Sequence, residues 1–227
     1  YTNNISQTSD LRKPADELLE IYSVFHFLPG KTAELSSDSA RRLDGRTHPL
    51  NTIPDNENAN DVMTWAFKAR NPYLMGIATH VYVDTFAHQN FVGTYDDFNS
   101  MGVPLPNIGH LDAKHSPDIP SERWTDPRLV PGHSSIDNKE RFLLAAGHLF
   151  DLYSTYLTIH NDKNALLTDL SNAIVDSEDA RNQNYRDLIG PEYVEYDKNA
   201  WFTAATDFTV TSAPGADTAP TVGSTYI

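Results

Sequence analysis

The chain has 227 residues, 39% of them hydrophobic, with a formal net charge of −14, which is length enough for one sizeable domain or a domain with an extension. So acidic a surface repels a phosphate backbone and argues against binding of nucleic-acid duplexes, although bound divalent ions would reverse the sign locally and admit an anionic substrate. With no cysteine in the chain, disulfide scaffolding and thiolate zinc sites are excluded, and any transition metal must be held by His, Asp and Glu.

Residues 14–27, PADELLEIYSVFHF, place acidic groups in a first turn and repeat apolar residues at helical spacing, so a helix is expected there. Pro29-Gly30 stops it. Residues 31–60 are polar with scattered Pro, Gly, Asn and Asp and read as a long loop. A short amphipathic helix is expected over 61–70. Asn71-Pro72 then supplies a cap and a first-turn proline for a helix over 72–91, apolar nearly all round and therefore buried. Residues 92–135 are Gly- and Pro-rich with little periodicity. A long helix follows over 137–160, opened by Asp137 with Glu140 in the manner of a capping box. Another is expected over 164–189, broken by Gly190-Pro191, and a short one near 197–206. Residues 211–227 read as an extended or mobile tail behind a helical metal-binding domain of residues 1–210. No segment alternates with period two, so the expected fold class is all-α, a single helical domain with long Pro/Gly-rich functional loops. No apolar run approaches the roughly 18–20 residues of a transmembrane span, and the composition fits secretion as well as the cytosol.

The chemistry concentrates in the run GIATHVYVDTFAHQNFVG. On an ideal helix, His80, Asp84 and His88 advance by about 40° each, which puts all three within an arc of roughly 80°. A buried helix holds a carboxylate and two imidazoles only if something compensates them, either a metal or mutual hydrogen bonds. His80 and His88 lie about 12 Å apart along the axis, too far to share one ion. The economical arrangement puts His80 with Asp84 on a first ion and turns Asp84 or His88 toward a second, with the two oxygens of Asp84 as the bridge. The bland alternative is a metal-free core network of the same three residues. Further candidate ligands are His110, which follows a glycine in a loop, and His148, on an apolar helix stripe where Asp84 is the expected partner. His26, between Phe25 and Phe27, is expected either in the core or behind the ligands. His48 and His160 read as ordinary polar positions.

FHFLPG at 25–30, the central run at 76–93, IGH at 108–110 and ERFLLAAGH at 140–148 resemble, in this order, an uncharacterised, mostly bacterial domain family (domain of unknown function 6765). The resemblance covers about residues 20–153. That family is distantly similar to the zinc-dependent phospholipase C and single-strand nuclease group, which places a His-x3-Asp pair on a buried helix with the Asp bridging two zinc ions. The resemblance implies that His80 is a zinc ligand and Asp84 the bridge, and matches His88, His110 and His148 to His positions of the closer family.

Three readings follow. The first is a metal-dependent hydrolase of phosphoesters or lipid esters, zinc being the expected ion, with His80, Asp84, His88, His110 and His148 as metal ligands and Asp112 or His115 as the general base. The second is a non-catalytic effector, toxin or surface module whose metal or polar cluster staples the helices. The third is a lyase or cyclase that uses the ion as a Lewis acid. The expected partner is a small-molecule or lipid substrate.

Overall fold

The computed structural model describes residues 21–159, 161–197, 199, 200 and 203. Within them the protein is mostly helical, and it also has a small two-stranded sheet. A π-helical turn, Tyr22–His26, comes first and is followed by helices α1 (Thr32–Ser39), α2 (Glu57–Ala69), α3 (Pro72–Ala87), α4 (Asn138–Tyr156), α5 (Lys163–Ala173) and α6 (Glu178–Ile189). Between α3 and α4 run the short 3-10 segments Asp97–Asn99, Leu111–Ala113 and Ser116–Asp118, then strands β1 (Arg123–Thr125) and β2 (Ser135–Asp137).

Helix α3 is the axis of the fold, and it begins where the Asn-Pro pair dictates. The Asn71 side chain accepts from the backbone N–H groups of Tyr73 and Leu74, while Pro72 occupies a position that needs no donor. Leu74, Ala78, Tyr82 and Phe86, spaced by four, form one buried stripe. It packs with Ala59, Met63, Ala66 and Phe67 of α2 and Ala145 of α4. His80 and Asp84 fall about 200° around the helix from that stripe, and their face meets the π turn. Packing on two sides explains why the helix is apolar nearly all round.

Several boundaries depart from the sequence expectation for identifiable reasons. Asn56, fully buried, caps α2 by accepting from Ala59 N–H; the helix therefore starts at Glu57 rather than four residues later. Arg70, in the left-handed region with φ 53°, ends it. The expected loop over 31–60 contains α1, seated by Glu34, whose carboxylate accepts from Lys31 N–H. Helix α3 stops at Ala87, short of the predicted 91, with His88 as its C-cap. The helix expected over 164–189 is two. Ser177 caps α6 by accepting from Ala180 N–H, and Arg181 donates to the Val175 carbonyl across the break. The all-α expectation is corrected by β1 and β2, paired antiparallel with Trp124 opposite Ile136. Three-residue strands are too short to show alternation. Asp137 does cap α4, accepting from Glu140 N–H. The first helix survives in the described residues only as its π-helical end. Residues 14–20, most of the short helix near 197–206 and the tail at 211–227 lie outside them. No helix among the described residues is long and apolar enough to cross a membrane.

Candidate metal centre

Two groups of three side chains meet where the π turn, α3 and the 108–118 segment converge. His26, His80 and Asp84 form the first; His88, His110 and Asp118 form the second. In each, one donor atom per residue lies within 4.8 Å of the others.

In the first group both histidines converge on one oxygen. His26 Nδ1 donates to Asp84 Oδ2 at 2.8 Å, and His80 Nε2 lies 3.3 Å from the same oxygen and 3.4 Å from His26 Nδ1. The π turn is what aims His26 there. Its closing bond runs from Phe27 N–H to the Tyr22 carbonyl, five residues back, at 2.6 Å.

The second group is arranged differently. His88 donates from Nδ1 to the His26 carbonyl at 2.6 Å, and His110 donates from Nδ1 to the Lys114 carbonyl at 2.8 Å. Both rings therefore carry a proton on Nδ1 and turn Nε2 toward Asp118, and His88 donates from Nε2 as well. His88 Nε2 lies 2.9 Å from Oδ1 and His110 Nε2 3.3 Å from Oδ2. His110 owes its position to Gly109, with φ at 50°, where a Cβ would come within 2.6 Å of the Phe27 ring. Phe27 itself stacks on His88 with ring centroids 4.6 Å apart. The two groups touch through Asp84 Oδ2 and His88 Nδ1, 3.7 Å apart.

Arg141 of α4 holds the framework. Its guanidinium donates to the Phe86 and Ala87 carbonyls at 3.0 and 2.9 Å, and to the Pro117 carbonyl at 3.3 Å. Ala87 precedes His88 in the chain and Pro117 precedes Asp118, so one side chain sets the backbone under both ligands. Asn138, three residues earlier on α4 and itself hydrogen-bonded by Arg141, donates to the Ser116 and Ile119 carbonyls and fixes the same segment.

The electrostatics follow this geometry. Burial opposes ionisation of Asp84, yet the neighbouring His88, a hydrogen bond from His26 and the charge of His80 hold its pKa below the ordinary value. Asp118 is lowered likewise, burial being outweighed by the His88 hydrogen bond and the neighbouring histidines. His88, between the two carboxylates, is raised despite its burial. Burial lowers His80, and burial together with His88 brings His110 to about 4. Each carboxylate thus lies against imidazole rings that favour its ionised form.

The sequence-predicted residues are distributed unevenly. His80 and Asp84 meet in one group, His88 and His110 in the other. His148 joins neither; its Nδ1 lies 3.0 Å from Asp55 Oδ2, and Asp55 also accepts from the Tyr82 hydroxyl at 2.5 Å. That network sits on the opposite face of α3 from His80. Asp112 is buried and accepts from Met101 N–H at 2.8 Å. His115 is exposed, three residues before Asp118, and adds to the charge that keeps Asp118 ionised. The sequence reading did not single out Asp118, and it placed His26 no nearer than the core or behind the ligands. Ser-Pro-Asp gives no periodic signal, but the Asp lies eight residues after His110 in the same loop. His26 lies within the FHFLPG run.

The donor set fits a divalent ion of borderline softness. Each group offers two imidazole nitrogens and a carboxylate, and three protein donors leave a tetrahedral ion one further position. The Nδ1 bonds of His88 and His110 to carbonyls are the fixing contacts that metal-ligating histidines ordinarily carry. A mostly helical protein with paired His2Asp groups at one end of a buried helix is the class these observations define. The chain belongs to the Family of unknown function (DUF6765), whose model matches residues 1–219. No curated protein and no solved structure matches it.

Proposed function

We propose that this protein is a metal-dependent hydrolase of phosphoesters or lipid esters, built on the two adjoining His2Asp groups. The observation that carries the proposal is the adjacency of two three-donor groups, linked through Asp84 and His88 and each open on one side. The side chains of His80 and Asp118 are 42% and 45% exposed, so water and substrate reach the cluster. The similarity of the His80-x3-Asp84 helix to the zinc-dependent phospholipase C and nuclease group supports the same reading and favours zinc.

His26, His80 and Asp84 would hold one ion, and His88, His110 and Asp118 the other. Bound ions supply Lewis acidity and lower the pKa of water toward ~7. The chain's own residues orient the cluster and move protons. Arg141 and Asn138 fix the ligand-bearing backbone, and Phe27 and Phe91 back His88 and His110. His115, exposed beside Asp118, is placed to exchange a proton with solvent. Asp112 is committed to Met101 N–H and serves the loop.

The test is metal analysis of untagged protein, then assay on a panel of phosphomonoesters, phosphodiesters and phospholipids, with Asp84→Ala alongside. Stoichiometric metal and activity lost on chelation and in Asp84→Ala are expected; absence of metal from the wild type sinks the reading. One observation favours a non-catalytic staple instead. His88, its side chain only 5% exposed, ties α3, the π turn and the 110–118 segment together. A large drop in melting temperature on chelation, with no hydrolysis of any substrate, would select it.

A further inference from the structure

We infer that the two groups fill in a fixed order. The His88–His110–Asp118 group takes the first divalent ion, and the filled group then organises His26–His80–Asp84 for the second. The inference rests on the two-site reading above and adds to it an order and a direction of coupling.

The second group is already set for an ion. His88 and His110 each spend Nδ1–H on a backbone carbonyl, at 2.6 and 2.8 Å, so once His88 gives up the Nε2 proton it shares with Asp118, each presents Nε2 without tautomer exchange. The two nitrogens approach different oxygens of Asp118, which leaves the carboxylate between them rather than committed to one. The backbone under His88 and Asp118 is held by the one guanidinium of Arg141. Little ordering remains to be done when an ion arrives, and preorganisation is where affinity comes from.

The first group is not set. His26 Nδ1 and His80 Nε2 both approach the single oxygen Asp84 Oδ2. His26 donates its Nδ1 proton there, and that nitrogen must surrender the proton and the bond before it can ligate. His80 is itself exposed. The ring of His26 is carried by a π turn, a rare conformation that needs support from outside.

That support is the link between the sites. The carbonyl that accepts from His88 Nδ1 belongs to His26 itself. An ion on His88 Nε2 strengthens the Nδ1–H as a donor, tightens its bond to the His26 carbonyl, and thereby steadies the turn that carries the His26 ring. The same bond keeps His88 Nδ1 from Asp84, 3.7 Å away, and leaves that carboxylate for the first group. Coupling is reciprocal in free energy, but the preset group starts with the higher affinity and fills first.

The test is titration of metal-free protein with Co2+, followed by its visible absorption and by calorimetry. Wild type should show two phases with apparent Kd values at least tenfold apart. His80→Ala should abolish the weaker phase and leave the tighter within threefold. His110→Ala should abolish the tighter phase and weaken the remaining one at least tenfold, although it touches no ligand of that group. Asp118→Asn, closer in shape, is the second variant should His110→Ala fail to give a native circular-dichroism spectrum. Equal affinities, loss of both phases in His80→Ala, or an unaffected second phase in His110→Ala and Asp118→Asn each overturn the inference, as does failure to bind Co2+ at all. Ordered binding of two ions without hydrolysis would refute the hydrolase reading and leave the order standing. Hydrolysis by protein whose ions bind in parallel would do the reverse.

Discussion

Replacing Arg141 by methionine keeps most of the volume of the stem and removes the guanidinium. Three carbonyls then lose their donor: Phe86 and Ala87 at the end of α3, and Pro117 before Asp118. Hydrogen bonds from a charged group contribute about 1.5–3 kcal/mol each. The carbonyls at a helix end regain some water, so a net cost of roughly 3–5 kcal/mol is expected, as for breaking one side of a buried charged contact. For a chain of this size each kcal/mol lowers Tm by about 2–4 °C, so Arg141→Met should melt on the order of 10 °C below wild type. Its tighter Co2+ phase should also weaken by about 10–100-fold, the usual cost of losing a group that orients metal ligands. Thermal melts by circular dichroism and Co2+ titration read the two effects separately. Arg141→Lys, which keeps the charge but loses the fork, should fall between. A methionine variant that melts within about 2 °C of wild type and binds Co2+ equally well would refute the role given to this side chain.

Removing the Tyr82 hydroxyl (Tyr82→Phe) deprives Asp55 of a buried donor and should cost about 1–2 kcal/mol in urea unfolding, with metal stoichiometry unchanged; an unaltered midpoint would count against that network. His148→Ala should bind as much Co2+ as wild type, and loss of an ion would put His148 among the ligands. If His115 carries a proton in the proposed hydrolysis, His115→Ala should lower kcat by about a hundredfold or more. Asp112→Asn, which keeps an acceptor for Met101 N–H, should stay close to wild type, and the opposite ranking would restore Asp112 as the base. Arg42 forks onto Asp44 and holds its pKa at about 2, below the ordinary 3.8. A lowered folded pKa gives stability that is complete above 3.8 and lost as pH falls toward 2. Asp44 is substantially exposed, so the gain is under about 1 kcal/mol. In acid unfolding, the gap between wild type and Asp44→Asn should close over that window; a gap that widens on acidification would contradict the pairing.

The helical character and the central helix could be read from sequence because their signals are local. Asn71-Pro72 marks the start of α3, and spacing by four marks a face. The spacing also argued for two sites joined at Asp84 rather than one ion on three residues, and the geometry places His80 and His88 in different groups. What could not be read is long-range. His26 is 58 residues from Asp84 in sequence and reaches it through a π turn that no periodicity announces. Asp118 reaches His88 because Arg141, on a helix still further along, ties down Pro117. His148 meets Asp55 rather than the expected Asp84 for a related reason. Its stripe does face α3, but the face it meets carries Tyr82 and Phe86, and Asp55 arrives there from the turn ahead of α2 with φ at 54°.

The π turn has a consequence for how this segment can vary. A turn closed five residues back holds one more residue than the α-helical turn it replaces. Deleting any one of residues 22–25 would restore ordinary winding and rotate everything beyond by about 100°. The His26 ring would swing off Asp84, and its carbonyl would leave His88. Substitutions at Val24, half exposed in this turn, change only a surface, whereas a change of length by one unthreads both groups together. Within this turn the count of residues is therefore fixed, while a solvent-facing letter such as that at Val24 is free to change.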